Sequence, residues 1–302
     1  MQDTNKKKYT YCVFGLVISS EIELPELIEG EGLADISITL NEVPQHIENT
    51  TKRAHRLQIS ATEFLYIKNK SKFYVREGRL IKVEAYKSTV DASVRSCITE
   101  VCIVVSILQR GIIPIHGSSV VINGKSVIFT GVSGSGKSSL CFAFTKNKYE
   151  FLSDDISVVS MDDSGSLLVL PGFPQRKLCK DTAKIMGYDT SNPAVTILEK
   201  KIIVNSNMHF RNEAMPLSAI YEIKKVKDKQ VSIVDVKGSE KLRSLINNLC
   251  YSPILFSMGI KSDYFIKCAE LANKVSYHYM FRPNKGDTTR EQMEHILKTE
   301  LI

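Results

Sequence analysis

Apolar and polar positions along this chain change their period at Asp91. Up to about residue 90 the apolar residues come in short β-branched and aromatic runs between polar breaks: Tyr11 to Ile18, Ala34 to Leu40, Arg56 to Ser60, Phe64 to Ile67, Phe73 to Arg76 and Leu80 to Ala85. Runs of that kind predict strands, and residues 1–90 read as an N-terminal α+β domain. From Asp91 the spacing changes, with Val94, Ile98, Val101, Val105 and Leu108 four, three, four and three residues apart. This predicts a helix with one apolar stripe, ending before Gly111. Short strands follow at Ile112 to Ile115, Ser119 to Ile122 and Ser126 to Thr130, the last two joined by Asn123-Gly124, a tight-hairpin signal. Residues 91–302 read as a second domain.

A chain of 302 residues fits about two domains at ~150 residues each. With 43% hydrophobic and 24% charged residues, 16 Gly and 9 Pro, the composition excludes disordered, collagen-like and coiled-coil classes. The longest strongly apolar stretch, around Val101 to Leu108, is short of the ~20 residues of a membrane span, so none is expected. Met1 to Thr10 is polar and lysine-rich, with no apolar block after it, so no secretory signal is expected and the protein is placed in the cytoplasm. Seven cysteines, Cys12, Cys97, Cys102, Cys141, Cys179, Cys250 and Cys268, include no C-x-x-C pair, which argues against a disulfide framework or a zinc ribbon. The net charge of +7 favours phosphate-bearing or acidic ligands. Lys6-Lys7-Lys8 reads as a solvated tail, because no aromatic platform or nucleic-acid motif accompanies it.

The strand Ser126 to Thr130 runs into Gly131-Val132-Ser133-Gly134-Ser135-Gly136-Lys137-Ser138, a full G-x-x-x-x-G-K-[ST] motif, and helix-compatible residues follow from Ser139 to Thr145. Glycines at these positions let backbone N–H groups turn inward around phosphate oxygens, and the helix N-terminus adds its dipole. Lys137 is the cation for the outer phosphates, expected to be exposed in an empty site, and the Ser138 hydroxyl is placed to ligate Mg²⁺. The nucleotide is expected on residues 131–139, Ser139 included.

Downstream, Phe151-Leu152-Ser153-Asp154-Asp155-Ile156-Ser157-Val158-Val159 sets two adjacent carboxylates in a strand-like run. Alternation sends them to opposite sides, so that one can face a metal and the other a hydroxyl to be deprotonated, provided the strand is irregular there. A surface turn is the other reading of the pair. His116, in Ile113-Pro114-Ile115-His116-Gly117, is the third element.

His116-Gly117, the Gly131 to Ser138 loop and Asp154-Asp155 together resemble the core of bacterial HPr kinase/phosphorylase, a serine kinase on a P-loop domain like that of phosphoenolpyruvate carboxykinase. The wider chain resembles the HPr-kinase-like enzymes that modify lasso-peptide precursors. The segments carrying that likeness are Tyr11-x-x-Phe14-Gly15-Leu16-x-Ile18-x-Ser20-Glu21-Ile22-x-Leu24-Pro25-Glu26-Leu27, Leu170-Pro171-Gly172-Phe173-Pro174 and Met215-Pro216-Leu217-Ser218-Ala219-Ile220-Tyr221. The resemblance implies an α/β fold with a P-loop kinase core, and ATP and Mg²⁺ as cofactors. It implies Asp155 as the base, Asp154 as its neighbour and metal partner beside Ser138, and His116 lining the site with Lys137. It implies a precursor peptide as partner, phosphorylated on a serine; from the charge distribution and the short apolar stretches no nucleic acid and no membrane partner is expected, and a homo-oligomer stays open. No Glu-Arg-Gly signature of the phosphorolytic reaction occurs between Asp163 and Lys201, which weighs against HPr as substrate. Arg176 and Lys177, with Lys200, Lys201 and Arg282, are candidates for meeting an acidic or C-terminal carboxylate group of a peptide; a solvated basic turn is the alternative for the first two. A small-molecule kinase and a non-catalytic nucleotide-regulated module remain as other readings.

Overall fold

A computed structural model describes residues 7–86, 90–179, 195–198, 201–205, 208–227 and 230–300. The chain is mixed α/β and divides into two compact units, residues 1–113 with 251–265, and residues 114–250 with 266–302. The expected boundary near residue 90 falls inside the first unit. The reason is the helix Ala92–Gln109, which is tied to the preceding strands. Gln109 Oε1 accepts from Gly78 N at 2.7 Å, Gln109 Nε2 donates to Thr62 O, and Arg110 pairs with Asp35 at 2.9 Å.

The first unit is a nine-stranded sheet of β1 (Tyr9–Val13), β2 (Leu16–Ser20), β3 (Ile28–Glu29), β4 (Ile36–Leu40), β5 (Lys52–Ala54), β6 (Leu57–Ile59), β7 (Glu63–Lys68), β8 (Ser71–Arg76) and β9 (Leu80–Glu84). Their order is β3-β1-β2-β4-β9-β8-β7-β6-β5, parallel only where β4 joins β2 and β9. The run Tyr11 to Ile18, expected as one strand, is two, because Phe14 and Gly15 both take positive φ and turn the chain into a hairpin. The helix begins at Asp91, whose Oδ1 accepts from Val94 N at 2.9 Å, a side-chain N-cap. Its stripe is buried as expected at Val94, Ile98, Val105 and Leu108, but Ile103, Val104 and Ile107 are buried too. By length and composition alone this helix, longer than the Val101 to Leu108 stretch, could cross a membrane, but 61% of it is buried inside the protein.

The second unit holds β10 (Ile113–Ile122), β11 (Lys125–Thr130), β12 (Phe151–Ser153), β13 (Ile156–Met161), β14 (Leu167–Leu170), β18 (Met215–Val226), β19 (Ser232–Asp235) and β20 (Ser276–Pro283). These eight form one sheet, and β15 (Gln175–Cys179), β16 (Val195–Leu198) and β17 (Lys201–Asn205) form another. Ile112 to Ile122, expected as two strands, is continuous because β10 pairs with β11 along its second half, from Gly117 against Thr130 to Ile122 against Lys125. The twelve-residue β18 runs parallel to both β11 and β20. Across the face of these three strands pack the helix Lys137–Lys146 and the C-terminal helix Thr289–Glu300, burying Phe129, Leu140, Phe144, Tyr221, Ile223, Met280 and Ile296 in one core. Each large side chain buried this way contributes roughly 1.5–3 kcal/mol. The core therefore holds the glycine-rich loop, which lies between β11 and the first of these helices, at a fixed place on the sheet.

Candidate active site

The loop is shaped by backbone that only glycine adopts readily. Gly131, Gly134 and Gly136 have φ of 130°, 76° and 115°. At Gly131 space forbids a side chain as well, since a Cβ would lie 2.7 Å from the Ile223 carbonyl oxygen of β18. Lys137 opens the helix. Contrary to expectation its side chain is buried, with the ammonium turned back onto its own loop, donating to Gly131 O at 2.8 Å and Val132 O at 3.2 Å. A desolvated ammonium takes the nearest oxygens available, and here those are loop carbonyls. Ser135 Oγ, on the same loop, is buried with no hydrogen-bond partner among the described residues. The cation folded over the loop and the unsatisfied hydroxyl beneath it fit a phosphate chain. Ser138 and Ser139 follow on the first turn, both half-buried.

The acid pair sits where the strand run breaks. The strand-like run Phe151 to Val159, for which an irregular strand or a surface turn at the acid pair was expected, breaks between β12 and β13 at Asp154 and Asp155, and Asp155 has φ 78°, a left-handed conformation in which aspartate is tolerated better than most residues. The two carboxylates then take different partners. Asp154 Oδ1 accepts from Ser118 Oγ at 2.5 Å. Asp155 Oδ1 lies 3.7 Å from His116 Nδ1, and the same ring nitrogen is 3.1 Å from the Asp155 carbonyl oxygen. Below them runs a chain of buried hydroxyls, Ser119 to Ser153 at 2.9 Å, Ser153 to Ser157 at 3.1 Å, and Ser157 to the Gly117 carbonyl. Buried hydroxyls satisfied in series hold a backbone rigidly.

One residue joins the acids to the loop. Gly117 pairs with Thr130, the residue before Gly131, and its N–H donates to Asp155 O at 3.1 Å. A Cβ at Gly117 would lie 2.5 Å from Phe129 O, so the strands close up only around glycine. Thr130 Oγ1 also donates to His116 O at 2.8 Å. The acid pair is thereby one strand spacing, about 4.8 Å, from β10, and β10 in turn pairs with β11, the strand that enters the loop. The Asp154 charge is felt on the loop's helix as well. Burial, and then Asp154, raises the Cys141 thiol, which Arg176 lowers.

Among the basic candidates, Arg176 is buried. Its Nη1 donates to Thr145 Oγ1 at 2.8 Å and its guanidinium lies 4.4 Å over the Phe151 ring. It braces the loop's helix and is not presented to a peptide. Lys200 lies outside the described residues, as do the side chains of Lys177 and Lys201. Arg282 is against the loop, with Nη1 3.3 Å from Ser135 O. Ser118 is the residue that sequence reasoning missed; it lies two positions past His116 on β10, and alternation puts both on one face. Among the described residues no group of three or more His, Cys, Asp or Glu side chains could hold a metal ion. Ser138 with one aspartate, completed by phosphate oxygens and water, is the kind of set Mg²⁺ takes.

No protein-family model matches the chain, and no curated protein matches it. Among solved structures it is similar to the HPr(Ser) kinase/phosphatase from Coxiella burnetii, with 12% identity and a TM-score of 0.32 over 62% of this chain and 89% of that one.

Proposed function

We propose that this chain is an ATP- and Mg²⁺-dependent serine kinase acting on a ribosomally made precursor peptide, at its C-terminal serine, in lasso-peptide tailoring. The observation that carries the kinase reading is the junction at Gly117, which ties the acid pair and the glycine-rich loop to neighbouring residues of one strand pair. When bound, ATP supplies the phosphoryl group and Mg²⁺ neutralises its charge. The chain's own residues do the rest. The loop N–H groups and Lys137 hold the phosphate chain, for which Lys137 must leave the Gly131 and Val132 carbonyls. Asp154, steadied by Ser118, is the metal-side carboxylate with Ser138. Asp155 accepts the proton of the substrate hydroxyl, and His116, 3.7 Å from its Oδ1, orients that carboxylate. Phosphoryl transfer asks for positioning and charge neutralisation more than covalent help, so these groups suffice.

The peptide, as opposed to HPr or a small hydroxylated substrate, is supported by the sequence resemblance along the chain. The nine-stranded unit is the part proposed to recognise it, by adding the peptide to a strand edge. The test is tandem mass spectrometry of candidate precursor peptides after incubation with ATP, Mg²⁺ and the full chain. Phosphoserine from the wild type, absent with Asp155→Asn, is the expected result. ATP binding with no phosphorylated product from any peptide, HPr or small hydroxylated compound would leave a nucleotide-regulated binding module instead.

A further inference from the structure

We propose that Arg282 is a second cation for the phosphate chain of the nucleotide, supplied from β20 of the same chain; this rests on the nucleotide reading above. Strand alternation places it. Met280 is fully buried in the core beneath the glycine-rich loop's helix, and Arg282, two residues on, faces the same side. It stands at the carboxyl end of β20, which runs parallel to β18 and through it to β11, the strand that feeds the loop.

Its guanidinium rests on the loop itself. Nη1 is 3.3 Å from Ser135 O, and a Cβ on Gly136 would lie 2.8 Å from that nitrogen. Nη2 donates to Gly286 O at 3.3 Å and Nε to Pro283 O at 3.2 Å. All three partners are main-chain carbonyls at the long end of hydrogen bonding. Among the described residues no carboxylate lies within ion-pair distance of it. Burial lowers its pKa, with Asp287 opposing from further away. Ser135, whose carbonyl it touches, carries the buried hydroxyl that has no partner. A half-buried cation short of counter-charge and an unsatisfied hydroxyl thus share one loop residue, and a phosphate oxygen answers both. The planar fork of arginine suits that role, and its contact with the loop residues Ser135 and Gly136 favours the nucleotide over a peptide carboxylate.

The rival is that Arg282 only staples the loop through Ser135 O. Calorimetric titration of the full chain with ADP, AMP and inorganic pyrophosphate, without peptide, separates the two, alongside the Tm of each ligand-free variant. Arg282→Gln is expected to weaken ADP and pyrophosphate about ten- to a hundredfold, the loss of one hydrogen bond to a charged group, with AMP affected less and the ligand-free Tm little changed. Arg282→Lys should restore part of the affinity, because charge returns without the fork. Unchanged ADP affinity in Arg282→Gln overturns the proposal. So does equal weakening of ADP and AMP together with a fall in ligand-free Tm. If Arg282→Gln fails to fold, Arg282→Lys decides: ADP affinity equal to that of the wild type overturns the proposal. A wild type that binds neither ADP nor pyrophosphate fails the nucleotide reading itself, before any variant is compared.

Discussion

At Asp155 stability and activity should move apart. Its φ of 78° lies where an L side chain costs roughly 1–2 kcal/mol, less for aspartate because its short polar side chain bonds locally. Two of the bonds that hold residue 155 in place, from Gly117 N and His116 Nδ1, go to its carbonyl oxygen, so any residue there keeps those two. Asp155→Gly removes the strain but adds ~0.4–1 kcal/mol of unfolded-state freedom. The net change in stability is therefore within about 1 kcal/mol of zero, at most about 2–4 °C in Tm for a unit this large. Activity behaves differently, since losing a general base lowers kcat by ~10² to 10⁴. Asp155→Asn, which tolerates the same backbone, should show that loss in kcat more than in KM. Asp155→Ala keeps the positive φ without the local polar contact and should be the least stable of the three, by ~1 kcal/mol. The assay is phosphopeptide formation rate by mass spectrometry, with Tm by calorimetry, over a Mg²⁺ titration. If Asp155→Gly drops Tm by more than roughly 5 °C, the residue is structural and the argument fails. If Asp155→Asn keeps wild-type kcat while Asp154→Asn is dead, base and metal partner exchange roles; if both stay active, the mechanism is wrong.

Lys137→Ala should abolish phosphorylation with little loss of fold, since it gives up two hydrogen bonds to loop carbonyls of about 1 kcal/mol each; phosphopeptide from a folded variant would sink the loop assignment. Phe144→Ala should cost about 3–5 kcal/mol in denaturant unfolding, because the ring is fully buried between Phe129 and Tyr149, 5.4 and 5.3 Å away. At high pH stability should fall. Burial, then the hydrogen bond and charge of Glu63, push Tyr74 up to about 12, and burial followed by Glu222 raises Tyr277 further. A phenol whose folded pKa is raised contributes fully below the unfolded value of ~10 and loses that contribution as pH climbs toward the folded one. Tm should therefore decline from about pH 10 upward, and Tyr277→Phe should flatten the decline; an unchanged slope in that variant would rule the phenol out.

The elements were legible where local chemistry and tertiary packing agreed. The hairpin at Asn123-Gly124 formed because both residues take positive φ, a demand those two residue types meet at low cost. The glycine-rich loop followed its motif for the same reason. The domain boundary was not legible, because what ties the helix to the first unit is Gln109 and Arg110 reaching Gly78, Thr62 and Asp35, contacts between residues far apart in sequence. The short strands β3 and β5 were also missed: β5, at the sheet's end, is three exposed residues, which leave no apolar alternation to read.

The site divides along the same line. The acid pair was visible as two carboxylates in a strand-like run, yet their division of labour depends on one backbone angle that no residue type dictates. Asp155 is left-handed because Gly117, His116 and the serines beneath it over-determine the bend, and strain of this kind persists only where surroundings enforce it. Ser118 could have been found by parity from His116, since both lie on one face of β10. Arg282 could not: its nearness to Gly136 follows from the register of β20 on β18, Met280 opposite Ile223 and Arg282 opposite Lys225, and of β18 on β11, where Glu222 meets Thr130. A basic residue in contact with the loop therefore lies 145 positions past Lys137 in sequence. Arg176, nearer in sequence and expected at the surface, is packed under the loop's helix on the Phe151 ring. Among these basic residues it is strand register and burial, more than spacing along the chain, that decide which charge can reach a phosphate.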